Sequence, residues 1–170
     1  TELTATVTSL SAEEYLNRPT SAGPPVAVAD LQIRADDGLT VLPAGTVGEL
    51  WARGPMVAKG YWRQPEATAK TFVEGWVRTG DLARLDSEGF LYIVDRIKDM
   101  VIRGGENIYS SEVESVLSEH SAVAECAIVG IPHRTLGEEP AAIVHLAPGA
   151  SATEAELQDW LRVRIAAFKV

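Results

Sequence analysis

Turn signals divide the first half of the sequence into short segments and so limit what it can form. Between residues 24 and 54, β-favouring runs alternate with Asp-Asp-Gly, Pro-Ala-Gly and Arg-Gly-Pro. Because glycine and proline interrupt helices and supply turn conformations, this half is predicted to consist mostly of short strands and turns. One short helix is predicted at residues 64–72, where Pro65 suits the first turn. Strands 77–85 and 89–97, joined by "DSEG", are predicted to pair as a hairpin.

After Asp95 the pattern changes to an alternation of strands and helices. Thr153 and Glu156 have the spacing of a capping box, and so do Ser111 and Glu114. The predicted elements are strands 100–102, 122–131 and 140–147 and helices 111–119 and 153–166.

These two patterns predict an α+β fold class with two parts. We expect a β-rich subdomain at residues 1–95, followed by a small α+β domain at residues 96–170. The charged stretch "DRIKD" is expected to be a short linker between them.

Charge and cysteine content exclude several classes of protein. A formal net charge of −9 argues against nucleic acid as a partner, because nucleic-acid binding requires a basic surface. No apolar run approaches the roughly 18 residues of a membrane span, and the N-terminus lacks the features of a signal peptide. Cys126, the single cysteine, cannot form an internal disulfide and lies in an apolar run, so a buried thiol is expected. A single cysteine without a disulfide partner in the chain fits a reducing, cytoplasmic setting.

Both ends of the sequence are expected to be the ends of an excised piece. No initiator Met precedes Thr1, and the sequence stops at "IAAFKV", in or just after a helical pattern. The oligomeric state is left open.

Metal-binding and hydrolase signatures are missing from the sequence. His120, His133 and His145 are scattered and have no companion cysteines at metal-ligand spacing. No G-x-S-x-G motif occurs. Neither a zinc site nor a hydrolase triad is therefore expected.

A glycine pair, Gly104-Gly105, stands in the stretch "IRGGENIYSSEVE" and has two interpretations. The simpler one is a turn with positive φ between the strand "MVI" and the following helix. The other is a loop whose bare backbone lets a ligand approach closely near a helix N-terminus. No Gly-Lys-Ser/Thr follows, so this is not a Walker A loop.

Asp81, in "RTGDL", is the best candidate for a binding residue. An ionised carboxylate accepts hydrogen bonds from two directions, which suits the vicinal hydroxyls of a ribose. An aspartate after glycine is also a common turn residue that bonds its own backbone. Arg96 could contact a phosphate or ribose oxygen, or could be a solvated surface group.

Four ordered segments carry a resemblance to a known family. They are "GELWARGPMVAKGYW", "GWVRTGDL", "GFLYIVDRIKDMVIRGGENIYSSEVE" and "VAECAIVGIPH". In order and spacing they resemble the adenylate-forming enzymes, which include acyl- and aryl-CoA synthetases, luciferases and peptide-synthetase adenylation domains. The form "GGENIYSSEVE" is most similar to the fatty-acyl and aryl-CoA ligases.

The resemblance implies a two-step reaction of an acid–thiol ligase. A fatty or aryl carboxylic acid attacks ATP to give an acyl-adenylate and pyrophosphate, and the thiol of coenzyme A then displaces AMP. Asp81 is expected to hold the ribose hydroxyls, Arg96 to contact ribose or phosphate, and Ile93 to line the nucleotide site. Thr1 and Glu2 resemble the end of a motif in which Thr meets the α-phosphate and Glu ligates Mg²⁺.

The same resemblance implies the architecture of the second step. Residues 1–95 would be the closing subdomain, a distorted barrel, and residues 96–170 a lid that swings about Lys98. Gly104, Gly105 and Glu106 would form the loop that meets CoA during thioester formation, so both interpretations of the glycines would hold.

Other parts of the family's machinery are expected outside this sequence. The phosphate loop and the acyl pocket would lie upstream, and the catalytic Lys some twenty residues past Val170; Lys169 does not match it. The 170 residues alone are therefore expected to be inactive. Two alternatives remain: a peptide-synthetase adenylation domain that loads a carrier protein, and a non-catalytic module of the same fold.

Overall fold

A computed structural model describes residues 2–170 and divides them into two compact units. The first unit ends at Ile97 and the second runs from Lys98 to Val170. The boundary lies two residues beyond the one expected from the sequence. Thr1, an expected nucleotide contact, lies outside the described residues.

The first unit is rich in β-strands. Its five strands form one antiparallel sheet in the order β1-β2-β4-β3, with β5 paired to β4. The elements are α1 (Ala12–Asn17), β1 (Asp30–Arg34), β2 (Gly48–Arg53), α2 (Pro65–Thr71), β3 (Phe72–Val73), β4 (Trp76–Leu85) and β5 (Leu91–Arg96). The predicted short helix and the predicted β4–β5 hairpin are confirmed.

Helix α1 corrects the expectation that one helix interrupts the strands of this half. Ser11 accepts a hydrogen bond from the Glu14 N–H, and the Glu14 carboxylate accepts one from the Ser11 N–H, which makes a capping box. None of the six helical residues is buried, and the Ser11–Glu14 spacing is the signal in the sequence that could have predicted the helix.

One buried cluster of the first unit brings together residues from four of its strands. Ile33, Leu50, Ala83 and Leu91, one from each of β1, β2, β4 and β5, form a buried cluster. Alternation along each strand places these residues on a common face, where burial of each large aliphatic side chain contributes about 1.5–3 kcal/mol.

The second unit combines a four-stranded sheet with two helices. The sheet order is β7-β6-β9-β8. The elements are β6 (Val101–Arg103), β7 (Glu106–Ile108), α3 (Ser110–Ser118), β8 (Val123–His133), β9 (Gly137–Leu146) and α4 (Glu154–Arg162). Their core cluster is Val101, Ile108, Val113, Leu117, Ile128 and Leu161. The α+β fold class is thereby confirmed.

The glycine pair forms a turn with positive φ, as the simpler interpretation held. The turn leads into a strand, however, and not directly into a helix. Gly104 and Gly105 are the two loop residues of a tight hairpin between β6 and β7, and both have positive φ, +60° and +91°. Two-residue hairpin loops whose twist matches the strands require positive φ at both positions, which glycine adopts without strain. The three-residue strand β7 was too short to recognise in the sequence.

The N-terminal capping of α3 differs from the prediction. The helix begins at Ser110 after the N-cap Tyr109, so Ser111 lies inside the first turn and does not cap it. The Glu114 carboxylate instead accepts a hydrogen bond of 2.8 Å from the Ile128 N–H of β8. Glu114 therefore ties the helix to the sheet. The capping box at Thr153 and Glu156 is confirmed, although α4 ends at Arg162, four residues earlier than predicted.

The stretch "DRIKD", predicted to be a short linker, is structured. Arg96 is the last residue of β5, and Ile97–Asp99 form a single 3₁₀ turn.

Within residues 2–170, no helix is long and apolar enough to cross a membrane.

We predict that Glu114→Ala accelerates amide hydrogen exchange at Ile128 and lowers the free energy of unfolding by about 1–3 kcal/mol, because the buried N–H loses its acceptor. Glu114→Gln, which keeps an acceptor oxygen, should retain most of the protection. Equal exchange rates at Ile128 in the wild type and Glu114→Ala would show that the tether is not formed.

Candidate functional site

Strand β4 carries a bulge at the "RTGD" motif. Arg78 pairs with Trp51 and Leu82 pairs with Glu49, so three residues of β4 lie opposite one residue, Leu50, of β2. Gly80, in the middle of the three, has φ +74°, a conformation that glycine adopts without strain. Such bulges bend a strand and redirect its side chains.

The Thr79 hydroxyl holds this bulge in place. Its Oγ1 donates a 2.8 Å hydrogen bond to the Leu50 carbonyl and accepts a 3.1 Å bond from the Asp81 N–H. The hydroxyl thus satisfies two backbone groups that lie at the irregular part of the β2–β4 ladder.

The structure brings Asp81 and Arg96 together. The two residues are direct partners in the β4–β5 register, and Arg96 Nε lies 3.4 Å from Asp81 Oδ1. The Asp81 side chain is 32% exposed and that of Arg96 58% exposed, so both are accessible to a ligand. The carboxylate can accept hydrogen bonds from hydroxyl groups, and the guanidinium beside it can donate hydrogen bonds to an anionic group.

Ile93 and Asp95 flank this pair on β5. Ile93 pairs with Ala83 and is about half exposed, so its apolar side chain is open to a ligand. The Asp95 carboxylate accepts a 2.8 Å hydrogen bond from the Arg96 N–H and so fixes the backbone from which Arg96 extends.

A buried carboxylate, Glu49, supports the residue that precedes Thr79. Glu49 is 5% exposed and accepts hydrogen bonds from Trp51 Nε1 (3.0 Å) and from Arg78 Nη2 (2.9 Å). Trp51 is itself 2% exposed, with the Arg34 guanidinium 4.1 Å from its ring centre. Sequence reasoning did not single out Glu49, Trp51 or Tyr61, although all three lie in the quoted segment "GELWARGPMVAKGYW".

Glu2, the expected Mg²⁺ ligand, is held by Tyr61. The Tyr61 hydroxyl donates a 2.5 Å hydrogen bond to Glu2 Oε1. This bond is the main reason that the pKa of the Glu2 carboxyl lies below its usual value, and it raises the pKa of Tyr61. A glutamate carboxylate is ionised at neutral pH and is the kind of oxygen ligand that Mg²⁺ takes once or twice beside substrate phosphates, so Glu2 fits the ion.

The expected CoA-contacting residues lie on the β6–β7 hairpin. The Gly104 N–H donates a 2.7 Å bond to the Leu136 carbonyl, and the Ile102 N–H donates a 2.9 Å bond to Glu138 Oε2. A Cβ at Gly104 would lie 3.3 Å from the Leu136 side chain, whereas a Cβ at Gly105 would have no neighbour within 4 Å. The open side of the loop is therefore at Gly105, and the exposed Glu106 follows it.

Lys98 is the first residue of the second unit and lies in the 3₁₀ turn that follows β5. Its side chain is 68% exposed, and its Nζ lies 3.9 Å from Asp99 Oδ1. An exposed residue at a unit boundary is placed where a change of backbone angles would disturb little packing.

His120, His133 and Cys126 make packing or hydrogen-bond contacts within the second unit. His120 packs edge-to-face on Trp160, and His133 Nδ1 accepts from the N–H of Leu136. Cys126 is half-buried against the core of the second unit. Among the described residues, no group of three or more His, Cys, Asp or Glu side chains could hold a metal ion.

Comparison with protein families identifies the class to which the chain belongs. Residues 1–62 match the family described as AMP-binding enzyme, and residues 112–170 match the AMP-binding enzyme C-terminal domain. Together these matches cover more than two thirds of the chain. The chain belongs to the AMP-binding, adenylate-forming enzyme family.

Curated relatives share this family. The chain is 44% identical over all its 170 residues to the 2-succinylbenzoate–CoA ligase of Geobacillus kaustophilus, of which it covers 34%. It is 45% identical over 150 residues, 88% of its length, to a feruloyl-CoA synthase of an Amycolatopsis species, of which it covers 30%. The chain therefore spans about a third of the length of the curated relatives it matches.

A solved structure of similar architecture is the o-succinylbenzoate CoA synthetase of Bacillus subtilis. In its complex with the acyl-adenylate intermediate, it superposes with a TM-score of 0.91 at 39% identity, over 99% of this chain and 34% of that one. The same synthetase has also been solved with ATP and a magnesium ion, and there the TM-score is 0.88.

We predict that Glu49→Leu lowers the free energy of unfolding by about 2–3 kcal/mol, because Trp51 Nε1–H is left buried without its acceptor and Arg78 loses its partner. Urea unfolding followed by tryptophan fluorescence measures the change. The matched control is Glu88→Leu, which removes an exposed carboxylate 2.7 Å from Arg18 and should change stability by less than about 1 kcal/mol. Similar effects of the two variants would contradict a supporting role for Glu49.

Proposed function

We propose that this chain is the part of a longer AMP-forming acyl-CoA synthetase that binds the ribose of ATP and supplies the thioester loop. The observation that carries the proposal is the partly exposed pair of Asp81 on the bulged strand β4 and Arg96 on β5, in a chain 44% identical to a CoA ligase. The substrate would be a fatty or aryl carboxylic acid, and the setting cytoplasmic.

In the first step, a carboxylate oxygen attacks the α-phosphorus of ATP and pyrophosphate leaves. Asp81 accepts hydrogen bonds from the two ribose hydroxyls, and Arg96 contacts a ribose or phosphate oxygen. Ile93 supplies an apolar surface beside them, since its side chain is half exposed on the same strand. This set fixes the nucleotide so that the attack is in line, which is how positioning lowers such barriers.

Glu2 is the residue of this chain that would hold Mg²⁺, and Thr1, which lies outside the described residues, is proposed to contact the α-phosphate. When bound, the ion neutralises charge on the phosphates of ATP. Tyr61 donates a hydrogen bond to Glu2 Oε1 and so orients the carboxylate for that purpose.

In the second step, the thiol of CoA attacks the acyl carbonyl and AMP leaves. We assign Gly104, Gly105 and Glu106 to the path of the pantetheine arm, because the hairpin is open at Gly105 and held from the other side at Gly104. Lys98, at the unit boundary, is the hinge about which the second unit reorients between the steps.

The experiment is a pair of assays on the longer ligase that contains this chain. Pyrophosphate exchange reports the first step, and CoA-dependent thioester formation reports the second, with 2-succinylbenzoate, ferulate and medium-chain fatty acids as candidate substrates. We expect exchange and a CoA thioester with at least one of them. Exchange with an amino acid and transfer only to a carrier protein would favour a peptide-synthetase domain, and no exchange with any acid would favour a non-catalytic module.

We predict that Asp81→Ala in the longer ligase lowers kcat/KM for ATP by about 30- to 1000-fold, because a charged acceptor for two hydroxyls is lost. Steady-state kinetics with varied ATP measure this change. Unchanged ATP kinetics in a folded variant would remove Asp81 from the nucleotide site.

A second prediction concerns the open glycine. Gly105→Asn should slow thioester formation at least tenfold and leave pyrophosphate exchange within about twofold, because the new side chain fills the path of the thiol arm only in the second step. Asparagine tolerates positive φ better than most residues, which limits backbone strain.

Gly149→Asn is the matched control for Gly105→Asn. Gly149 lies in the same unit, has φ +78°, and also has no neighbour within 4 Å of an added Cβ. If both variants slow thioester formation equally, strain explains the effect; if Gly105→Asn slows both steps alike, the loop is not specific to CoA.

A further inference from the structure

One hydroxyl connects the bulge of β4 to the candidate ribose-binding carboxylate. Thr79 Oγ1 lies between the Leu50 carbonyl, to which it donates, and the Asp81 N–H, from which it accepts. Asp81 thus donates its N–H to Thr79 and places its side chain beside Arg96.

The bulge explains why a side chain is needed there. With three residues of β4 opposite Leu50, the backbone groups of the two strands no longer meet in the regular ladder. The hydroxyl of Thr79 fills the gap, and the positive φ of Gly80 lets the chain return to register at Leu82. Without the hydroxyl, the Asp81 backbone would lose the bond that fixes its position relative to β2.

We infer that Thr79 is a positioning residue that orients Asp81 toward the ribose and so sets the preference for a nucleotide with ribose hydroxyls. The inference rests on the proposed function, because it assigns the ribose to Asp81. Thr79 itself touches no substrate in this account; it acts through the backbone of Asp81.

Substitutions of Thr79 can remove its hydroxyl or keep it, and so test the role of that group. Valine has nearly the shape of threonine but no hydroxyl, so Thr79→Val removes both hydrogen bonds with little change of volume. Thr79→Ser keeps the hydroxyl and should restore function. Thr79→Ala also removes the hydroxyl and serves if the valine variant does not fold.

Ser21 provides a matched control within the same unit. Its hydroxyl donates 2.8 Å to the Leu91 carbonyl and accepts 3.0 Å from the N–H two residues later, at Gly23, which is the same arrangement as at Thr79. Ser21→Ala therefore removes an equivalent pair of bonds without touching Asp81.

The test compares the binding of ATP and 2′,3′-dideoxy-ATP to the longer ligase by calorimetry, without a carboxylic acid. Thr79→Val should weaken ATP binding about tenfold and leave the weaker binding of dideoxy-ATP within about twofold, so the preference for ATP falls about tenfold. Thr79→Ser and Ser21→Ala should keep the wild-type preference. In an Asp81→Ala background, Thr79→Val should have no further effect on ATP binding, because the two residues act as one unit.

Each other outcome counts against the inference in a recognisable way. If Asp81→Ala leaves the preference for ATP unchanged, the assignment of the ribose to Asp81 fails, and the inference fails with it. If Asp81→Ala abolishes the preference but Thr79→Val does not reduce it, only the role of Thr79 is wrong. If Ser21→Ala reduces the preference as much as Thr79→Val does, Thr79 acts through general stability.

Discussion

The bulge in β4 is the feature on which the candidate nucleotide site depends. On one edge of β4, three residues face the single residue Leu50 of β2; on the other edge, Asp81 pairs directly with Arg96 of β5. In a regular strand, successive side chains point to opposite faces of the sheet, so the positions of the neighbouring residues would decide the face on which Asp81 lies. The irregularity frees it from that alternation and leaves its side chain 32% exposed beside a cation.

Each unit combines candidate site residues with a rigid support. In the first unit the support is the Glu49, Trp51 and Arg78 cluster next to the bulge, in which one buried carboxylate accepts from three N–H groups on two residues. In the second unit the glycine hairpin is fixed by hydrogen bonds to the chain around Leu136 and Glu138. A core of its own under each sheet allows either site to keep its geometry independently of the other unit.

The sequence predicted the features that depend on local patterns. The α+β class, the β4–β5 hairpin, α2 and the Thr153 cap all follow from periodicity, turn residues or capping spacing. The Ser111–Glu114 spacing matched a capping box equally well, but Glu114 bonds to Ile128 across fourteen positions, a contact that no local pattern reveals. Thr79 was visible in "RTGD", yet its role depends on Leu50, twenty-nine residues away, and on a register shift that only the paired strands define.

The central claim is that Asp81 holds the ribose of the nucleotide, and a crystal structure of the longer ligase with AMP tests it most directly. The account predicts both ribose hydroxyls within about 3.2 Å of the Asp81 carboxylate oxygens, with the Thr79 hydroxyl still bonded to the Leu50 carbonyl. A ribose bound elsewhere, with Asp81 paired only to Arg96, would contradict it.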